Sequence, residues 1–137
     1  MNDEDIVGRL ATVDLFSALS KRELKRLASG ARDVRHADGH RVIDEGGKAL
    51  GFHFILEGSA DVVAKDGHKA TLHAGDYFGE MSLIDGSPRS ASVVANGPLR
   101  TLSLDSSTFN ALLDEHPEAA RAVMKALTRR LRATEDA

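Results

Sequence analysis

Apolar residues recur at helical spacing over residues 1–30. Those that lie three or four positions apart are Ile6, Leu10, Leu24, Leu27 and Ala28. This spacing places side chains on one face of a helix. Ser20 stands before the second run and Glu23 follows three residues later, which is the pattern of a capping box. We therefore predict helical structure over residues 1–30, ending at Gly30.

After Gly30 the pattern changes to short apolar runs separated by turn signals. The turn signals are Ala37-Asp38-Gly39, Glu45-Gly46-Gly47, Glu57-Gly58, Lys65-Asp66-Gly67, Ala74-Gly75-Asp76 and Asp85-Gly86-Ser87-Pro88. Strands are predicted at 52–56, 60–64, 91–95 and 99–104. Asp66-Gly67 between two such runs predicts a hairpin. Turns at this regular spacing favour a β-sandwich or β-roll over residues 31–104.

Helical spacing returns over residues 105–134, which we predict to form two helices. Pro117 suits the first turn of the second helix, which continues to about Thr134. Its predicted apolar stripe consists of Ala120, Val123, Met124, Leu127 and Leu131. We expect this stripe to pack against the β region or against the same helix of a second copy. The predicted fold class is mainly β with flanking helices.

Composition limits the classes of function. The chain has 137 residues, of which 42% are hydrophobic, enough for one domain over residues 1–137. The absence of cysteine excludes a disulfide framework, a thiolate metal site and a cysteine nucleophile. The six histidines have no acidic partners at metal-ligand spacing, and the serine-rich stretches have no nearby histidine base. We therefore predict neither a metal site nor an enzyme.

Charge and hydropathy narrow the expected partners. The net charge of −3 argues against a domain that coats nucleic acid. The last helix is basic, and we favour a solvated face there over a nucleic-acid contact. The acidic amino terminus is unlike a secretory signal, and no apolar run approaches the ~20 residues of a membrane helix. We expect a soluble, cytoplasmic protein that does not bind membranes.

Candidate chemistry is concentrated between Gly75 and Val94. A short helix beginning at Gly79 would point unpaired backbone amides at an anion. Arg89 offers a planar cation that matches phosphate oxygens. Glu80 would repel that anion, so we expect it to accept hydrogen bonds from sugar hydroxyls. The alternative is a surface ion pair between Glu80 and Arg89, worth about 0–1 kcal/mol.

Residues 78–92 resemble the phosphate-binding cassette of cyclic-nucleotide-binding domains, the family of catabolite activator proteins and protein kinase A regulatory subunits. The matching motifs are Phe78-Gly79-Glu80-Met81-Ser82-Leu83-Ile84 and Pro88-Arg89-Ser90-Ala91-Ser92. Gly46, Gly58 and Gly75 fall at turns of the family's β-roll, a double-stranded β-helix. Gly46-Gly47 departs from the Gly-Glu that is common there. The resemblance implies a single such domain over nearly the whole chain.

The resemblance also implies a role for each matching residue. Glu80 would hold the ribose 2′-hydroxyl, and Arg89 would pair with the exocyclic phosphate oxygens. Val62 and Leu72 would form part of an apolar wall against the ribose and the base. Thr134 matches a threonine that meets adenine in catabolite activator proteins, or else frays at the chain end. The amides expected around the phosphate are those of Gly79, Met81, Ser82, Ser90, whose hydroxyl could add a bond, and Ala91.

The predicted function is a cyclic nucleotide sensor. Thr134 favours cyclic AMP as the ligand, with cyclic GMP as the alternative. The phosphate would order residues 78–92, and the last helix would then close over the base, driven by the ligand's differential affinity for two conformations. The expected partner is an unidentified effector protein, and a second copy bound through the last helix is a further candidate partner. The alternatives are a DNA-binding regulator without its helix-turn-helix, since the sequence stops at Ala137, and a non-binding dimerisation scaffold.

Overall fold

The structure is a computed structural model that describes residues 1–43, 51–64, 66–85 and 91–136. The chain divides into a helical unit, Met1–Gly30 with Ser107–Ala137, and a β unit, Ala31–Ser106. The described helices are α1 (Asp3–Ala11), α2 (Lys21–Ala28), α3 (Glu80–Asp85), α4 (Ser106–Glu115) and α5 (Pro117–Asp136), with a 3-10 turn at Asp14–Phe16. The described strands are β1 (Arg32–His36), β2 (Arg41–Ile43), β3 (Phe52–Ala64), β4 (Lys69–His73), β5 (Tyr77–Phe78) and β6 (Ala91–Leu104).

Strands β3 and β6 form the centre of the β unit. They pair antiparallel from Phe52 opposite Leu104 to Ala64 opposite Ala91. One half of this pair is flanked by β1 and β5, and the other half by β2 and β4. The same two strands therefore take part in two layers, β1-β6-β3-β5 and β2-β6-β3-β4. This antiparallel β-roll with flanking helices confirms the predicted fold class.

The predicted division of these two strands was wrong. The runs 52–56 and 60–64 belong to the single strand β3, and 91–95 and 99–104 belong to β6. Gly58 was expected to lie in a turn between strands, but it lies within β3 and has a positive φ angle of +89°. Gly97 of β6 has a φ angle of +80°. The pairing register shifts between Ile55 and Glu57 and again between Glu57 and Ser59, and then continues. A bulge of this kind bends a strand without ending it.

The interior of the β unit is an apolar cluster supplied by both layers. Its buried members are Val42, Ile55, Ala60, Phe78, Val93, Ala95 and Leu99. Val62 and Leu72 pack against this cluster but are only partly buried. The hairpin predicted at Asp66-Gly67 is confirmed, because it joins β3 to β4 and so brings these two residues together.

The helical unit begins as the sequence predicted. The Ser20 hydroxyl accepts a hydrogen bond from the Glu23 amide at 3.1 Å, and the Glu23 carboxylate accepts one from the Ser20 amide at 2.8 Å. This capping box satisfies two amides at the start of α2 that lack partners within the helix. Pro117 is the first residue of α5, where its missing N–H costs nothing.

The predicted apolar stripe of α5 was partly wrong. The buried residues are Ala119, Val123 and Ala126, whereas Met124 and Leu131 are 59% and 60% exposed. Apolar residues occupy two neighbouring stripes of this helix, and spacing alone does not show which stripe is buried. The alanine-rich stripe is buried, because small side chains permit close packing and α5 lies against the Asp14–Phe16 turn. No described helix combines the length and the apolar character that crossing a bilayer requires.

The bend at Gly58 gives a stability prediction. A Cβ atom at Gly58 would collide with the backbone oxygen of Pro98, and the φ angle of +89° disfavours any residue with a side chain. Gly67 has a similar φ of +86°, but a Cβ atom there would meet no heavy atom within 4 Å. Gly67→Ala should therefore lower the free energy of unfolding by about 1–2 kcal/mol. Gly58→Ala should lower the free energy of unfolding by ~1–3 kcal/mol more than Gly67→Ala does, because the added Cβ atom also overpacks the bend.

Urea denaturation of both variants followed by circular dichroism measures the two free energies. Equal losses in Gly58→Ala and Gly67→Ala would contradict a tightly packed bend at Gly58.

Candidate functional site

Residues 78–80 are held in place by the central strand of the β unit. Tyr77 and Phe78 pair with Phe54 and His53 of β3. Gly79 follows with φ of +99°, a conformation that residues with a side chain rarely adopt. The Leu83 amide donates to the Gly79 carbonyl at 3.1 Å, so Gly79 precedes the helix and α3 starts at Glu80. The predicted helix start is thus displaced by one residue.

Helix α3 is anchored in the interior by Leu83, its fourth residue. Leu83 is fully buried, while Glu80 at the first helical position is half-buried. The amides of Glu80, Met81 and Ser82 belong to the first turn, where no earlier helical carbonyl can accept from them. Such a turn can donate several hydrogen bonds to an anion, as the sequence analysis supposed for Met81 and Ser82.

The carboxyl end of the 78–92 segment returns to the same central strand. Ala91 is the first residue of β6 and lies opposite Ala64 of β3. Arg89 and Ser90 lie outside the described residues, so their predicted contacts with phosphate stay predictions. Strand β3 therefore fixes both flanks of the segment, through β5 at one end and β6 at the other.

The predicted apolar wall lies next to the start of this segment. Val62 and Leu72 stand on neighbouring strands and pack on the interior cluster that contains Phe78. Both are partly buried, so they leave apolar surface open at the edge of that cluster. The structure thus brings together Phe78, Val62 and Leu72, which are well separated in the sequence.

Asp61 fixes the hairpin that carries this wall, a role that the sequence analysis missed. The Thr71 hydroxyl donates to the Asp61 carboxylate at 2.9 Å, and the Lys69 ammonium lies 3.4 Å from it. The Thr71 hydrogen bond and, after it, the Lys69 charge hold the pKa of Asp61 below its ordinary value. Thr71 is directly opposite Asp61 in the β3–β4 ladder. The predicted hairpin could have revealed this pair, given the correct register.

Thr134 lies in the helical unit, near the end of α5. Its hydroxyl donates to the carbonyl of Arg130 at 3.1 Å. It is exposed and lines an open groove of about 650 Å³ together with Asp14, Arg129 and Ala133. Its predicted contact with a base stays a prediction.

Comparison with known families agrees with this geometry. The sequence profile of the cyclic nucleotide-binding domain matches residues 33–116. The chain belongs to the cyclic nucleotide-binding domain family. The match includes nearly all of the β-roll, all of residues 78–92 and all of α4. The family predicted from residues 78–92 is therefore confirmed.

Relatives of this cyclic nucleotide-binding domain include regulatory proteins of two kinds. It is 28% identical over 104 residues to a cAMP-dependent protein kinase regulatory subunit of Hypocrea atroviridis, covering 76% of this chain and 22% of that protein. This domain thus spans about a fifth of that relative's length. It is 30% identical to the solved N-terminal domain of a transcriptional regulator from Streptomyces coelicolor A3(2), with a TM-score of 0.81, covering 94% of this chain and 96% of that one.

Two further solved structures share the fold. The regulatory domain of Toxoplasma gondii PKA, solved with cAMP, is 26% identical with a TM-score of 0.74, covering 96% of this domain and 50% of that chain. A putative cyclic nucleotide binding protein from Ruegeria pomeroyi has a TM-score of 0.81 and 20% identity, covering 99% of this domain and 62% of that chain. At 20% identity, the likeness to the Ruegeria pomeroyi protein supports the β-roll fold alone.

The Asp61–Thr71 pair gives a titration prediction. Thr71→Val removes the hydroxyl that stabilises the charged carboxylate, so the pKa of Asp61 should rise toward its ordinary value. Thr71→Ser keeps the hydroxyl and should leave the pKa low. Because the folded pKa is lowered, the stabilisation that Asp61 provides is present above pH 3.8 and is lost as the pH falls through the folded pKa.

Carbon-13 NMR titration of the Asp61 carboxyl in the wild type and both variants tests this. An unchanged pKa in Thr71→Val would show that the hydroxyl is not what stabilises the carboxylate.

Proposed function

We propose that this domain binds cyclic AMP where residues 78–92 meet the apolar wall of Val62 and Leu72, and that it acts as a sensor without catalytic chemistry. One observation carries the proposal. Phe78, which directly precedes Gly79 and Glu80, packs in the same apolar cluster as Val62 and Leu72. A cyclic nucleotide presents an anion, a sugar hydroxyl and an apolar ring face side by side. Polar backbone beside open apolar surface suits that combination.

In the proposed complex each part of the ligand has a chemically matched partner. Glu80 accepts a hydrogen bond from the ribose 2′-hydroxyl, since an ionised carboxylate is an acceptor only. Arg89 pairs with the exocyclic phosphate oxygens through its planar guanidinium. The amides of Gly79, Met81, Ser82, Ser90 and Ala91 surround the same phosphate. Val62 and Leu72 cover the ribose and one face of the base.

The relatives favour adenine over guanine as the base. One is named as the regulatory subunit of a cAMP-dependent kinase, and another was solved with cAMP. We extend the proposal to Thr134, which would contact the adenine once the ligand draws the end of α5 toward it. This change requires that cyclic AMP bind the two conformations with different affinity. Cyclic GMP is the competing ligand.

Two outputs are consistent with the relatives. The first is control of a protein kinase, in keeping with the 28% identity to a kinase regulatory subunit. The second is control of transcription, favoured by the 30% identity to a regulator's N-terminal domain of nearly equal length. In both cases the effector is separate from the residues that would bind the nucleotide.

Isothermal titration calorimetry with cyclic AMP and cyclic GMP tests the ligand. We expect saturable binding with a lower Kd for cyclic AMP. Arg89→Ala removes charge-assisted hydrogen bonds worth about 1.5–3 kcal/mol, so it should raise the Kd at least about tenfold. Glu80→Gln should also weaken binding, and more strongly for cyclic AMP than for 2′-deoxy cyclic AMP.

Arg32→Ala is the matched control, because Arg32 is an exposed arginine of β1 in the same unit. It should leave the Kd unchanged. Absence of binding by the folded wild type would overturn the sensor and favour a scaffold that binds no nucleotide.

We also propose that α5 joins two copies of the chain. Ala120, Met124, Leu127 and Leu131 follow the four-three-four spacing of a coiled-coil seam. Met124 and Leu131 are exposed, although both are large and apolar. A second α5 would bury them, while the cations Lys125 and Arg132 lie off the seam.

Sedimentation velocity tests this assembly. Met124→Gln combined with Leu131→Gln should convert a dimer to monomers, because each buried side chain contributes about 1.5–3 kcal/mol. The pair Lys125→Gln with Arg132→Gln is the control on the same helix and should remain dimeric. A wild type that sediments as a monomer at all concentrations would overturn the dimer.

A further inference from the structure

Two histidines contact one buried threonine in the β unit, and a third histidine stacks on one of them. His36 Nε2 lies 3.0 Å and His53 Nδ1 lies 3.2 Å from the hydroxyl oxygen of Thr101. Thr101 is fully buried, and His53 is 6% exposed. His40 stacks on His36 with ring centroids 5.4 Å apart. The residues come from β1, the turn before β2, β3 and β6, so the group joins parts of the chain that are distant in sequence.

The proton count of this group favours neutral imidazoles. A hydroxyl has one proton, so Thr101 donates to one imidazole and accepts from the N–H of the other. This arrangement needs one bare and one protonated nitrogen facing the hydroxyl, which two neutral histidines supply. When both imidazoles are cationic, both facing nitrogens carry protons and the Thr101 proton loses its acceptor there. The two positive rings, 6.1 Å apart, also repel each other.

The burial of His36 and its histidine neighbour also favour the neutral imidazole. Burial and, after it, the nearby His40 lower the pKa of His36. A cavity of about 140 Å³ beside His36 is lined by Arg35, Glu57 and Arg100. Glu57, the carboxylate in this lining, is bound by Arg100 at 2.9 Å. Arg100 also binds the carboxylate of Asp33, so the two arginines of this lining are balanced by two carboxylates.

His53 links this group to the candidate nucleotide site. Its ring stacks on Phe78 with centroids 5.1 Å apart and planes 15° apart. The same two residues are directly paired across β3 and β5. Phe78 is followed by Gly79 and Glu80, where the predicted phosphate-binding segment begins. Phe78 is therefore the contact between this group and the start of that segment.

We infer that His36, Thr101 and His53 form a proton-sensitive latch, which holds β5 on β3 when the imidazoles are neutral and releases it when they are protonated. The latch itself is independent of any ligand. Its consequence for affinity rests on the proposed function: cyclic AMP should bind more weakly as the pH falls. The sign follows from the lowered pKa of His36, because its stabilisation is present above pH 6.5 and is lost as the pH falls through the folded pKa.

Hydrogen exchange read by NMR at pH 7.5 and 5.5 tests the latch. The Ile55 amide donates to the Asp76 carbonyl at 2.9 Å, so the Ile55 amide reports whether β5 stays on β3. We expect its protection factor, corrected for intrinsic exchange, to fall at least about fivefold at the lower pH. The Kd for cyclic AMP, measured by calorimetry on the same samples, should rise by a similar factor.

Three variants separate the latch from general acid sensitivity. His36→Gln places an amide nitrogen near the Nε2 position and His53→Asn places one near Nδ1, and neither amide titrates. Both should flatten the pH dependence of the protection factor. Thr101→Val removes the bridging hydroxyl and should lower the protection factor already at pH 7.5. His68→Gln, at an exposed histidine of the β3–β4 turn, is the control and should behave as the wild type.

Each outcome has a distinct meaning. A wild-type protection factor that is equal at both pH values overturns the latch, as does equal pH dependence in His36→Gln and the wild type. If the protection factor changes with pH but a measurable Kd does not, the coupling to the nucleotide site is overturned. If the protection factor changes with pH but the protein binds no cyclic nucleotide at either pH, the latch is supported and the proposed function alone is overturned.

Discussion

The pairing of β3 with β6 on both sides of the bend at Gly58 is the constraint on which the β unit depends. Because the same two strands pair before and after the bend, they supply the centre of both layers. The bend is possible only where a glycine allows the close approach of Pro98. The interior cluster and both attachments of residues 78–92 follow from this arrangement, since β5, β4 and the start of β6 all pair with β3.

Local signals predicted the parts of the fold that depend on neighbouring residues. The capping box at Ser20, the proline at the start of α5 and the hairpin at Asp66-Gly67 each involve a few adjacent positions, and all are confirmed. The continuity of β3 was not predicted, because a glycine in a bulge and a glycine in a turn look alike in sequence. The buried side of α5 was also missed, because two apolar stripes compete and only packing decides between them.

The candidate site also contains features that adjacent residues determine and features that long-range packing determines. The motif at residues 78–92 is contiguous, so the sequence identified it, and the profile match over residues 33–116 confirms the family. The contacts of Thr101 with His36 and His53 span 65 and 48 residues. The side-chain pair of Asp61 and Thr71 requires the register of a ladder. The contacts of Thr101 depend on which distant strands become neighbours, and no local pattern encodes that. The Asp61–Thr71 pair lies within a predicted hairpin and needed only its register.

The strand order has a consequence for self-association. Strands β1 and β4 end the path β1-β6-β3-β4, so each has an edge with backbone groups that could recruit a foreign strand. Strand β1 carries the exposed charges Arg32, Asp33 and Arg35, and β4 begins with the exposed Lys69. A strand docking on either edge would have to desolvate these charges. The exposed charges of β1 and β4 thereby disfavour aggregation by strand addition at these two edges.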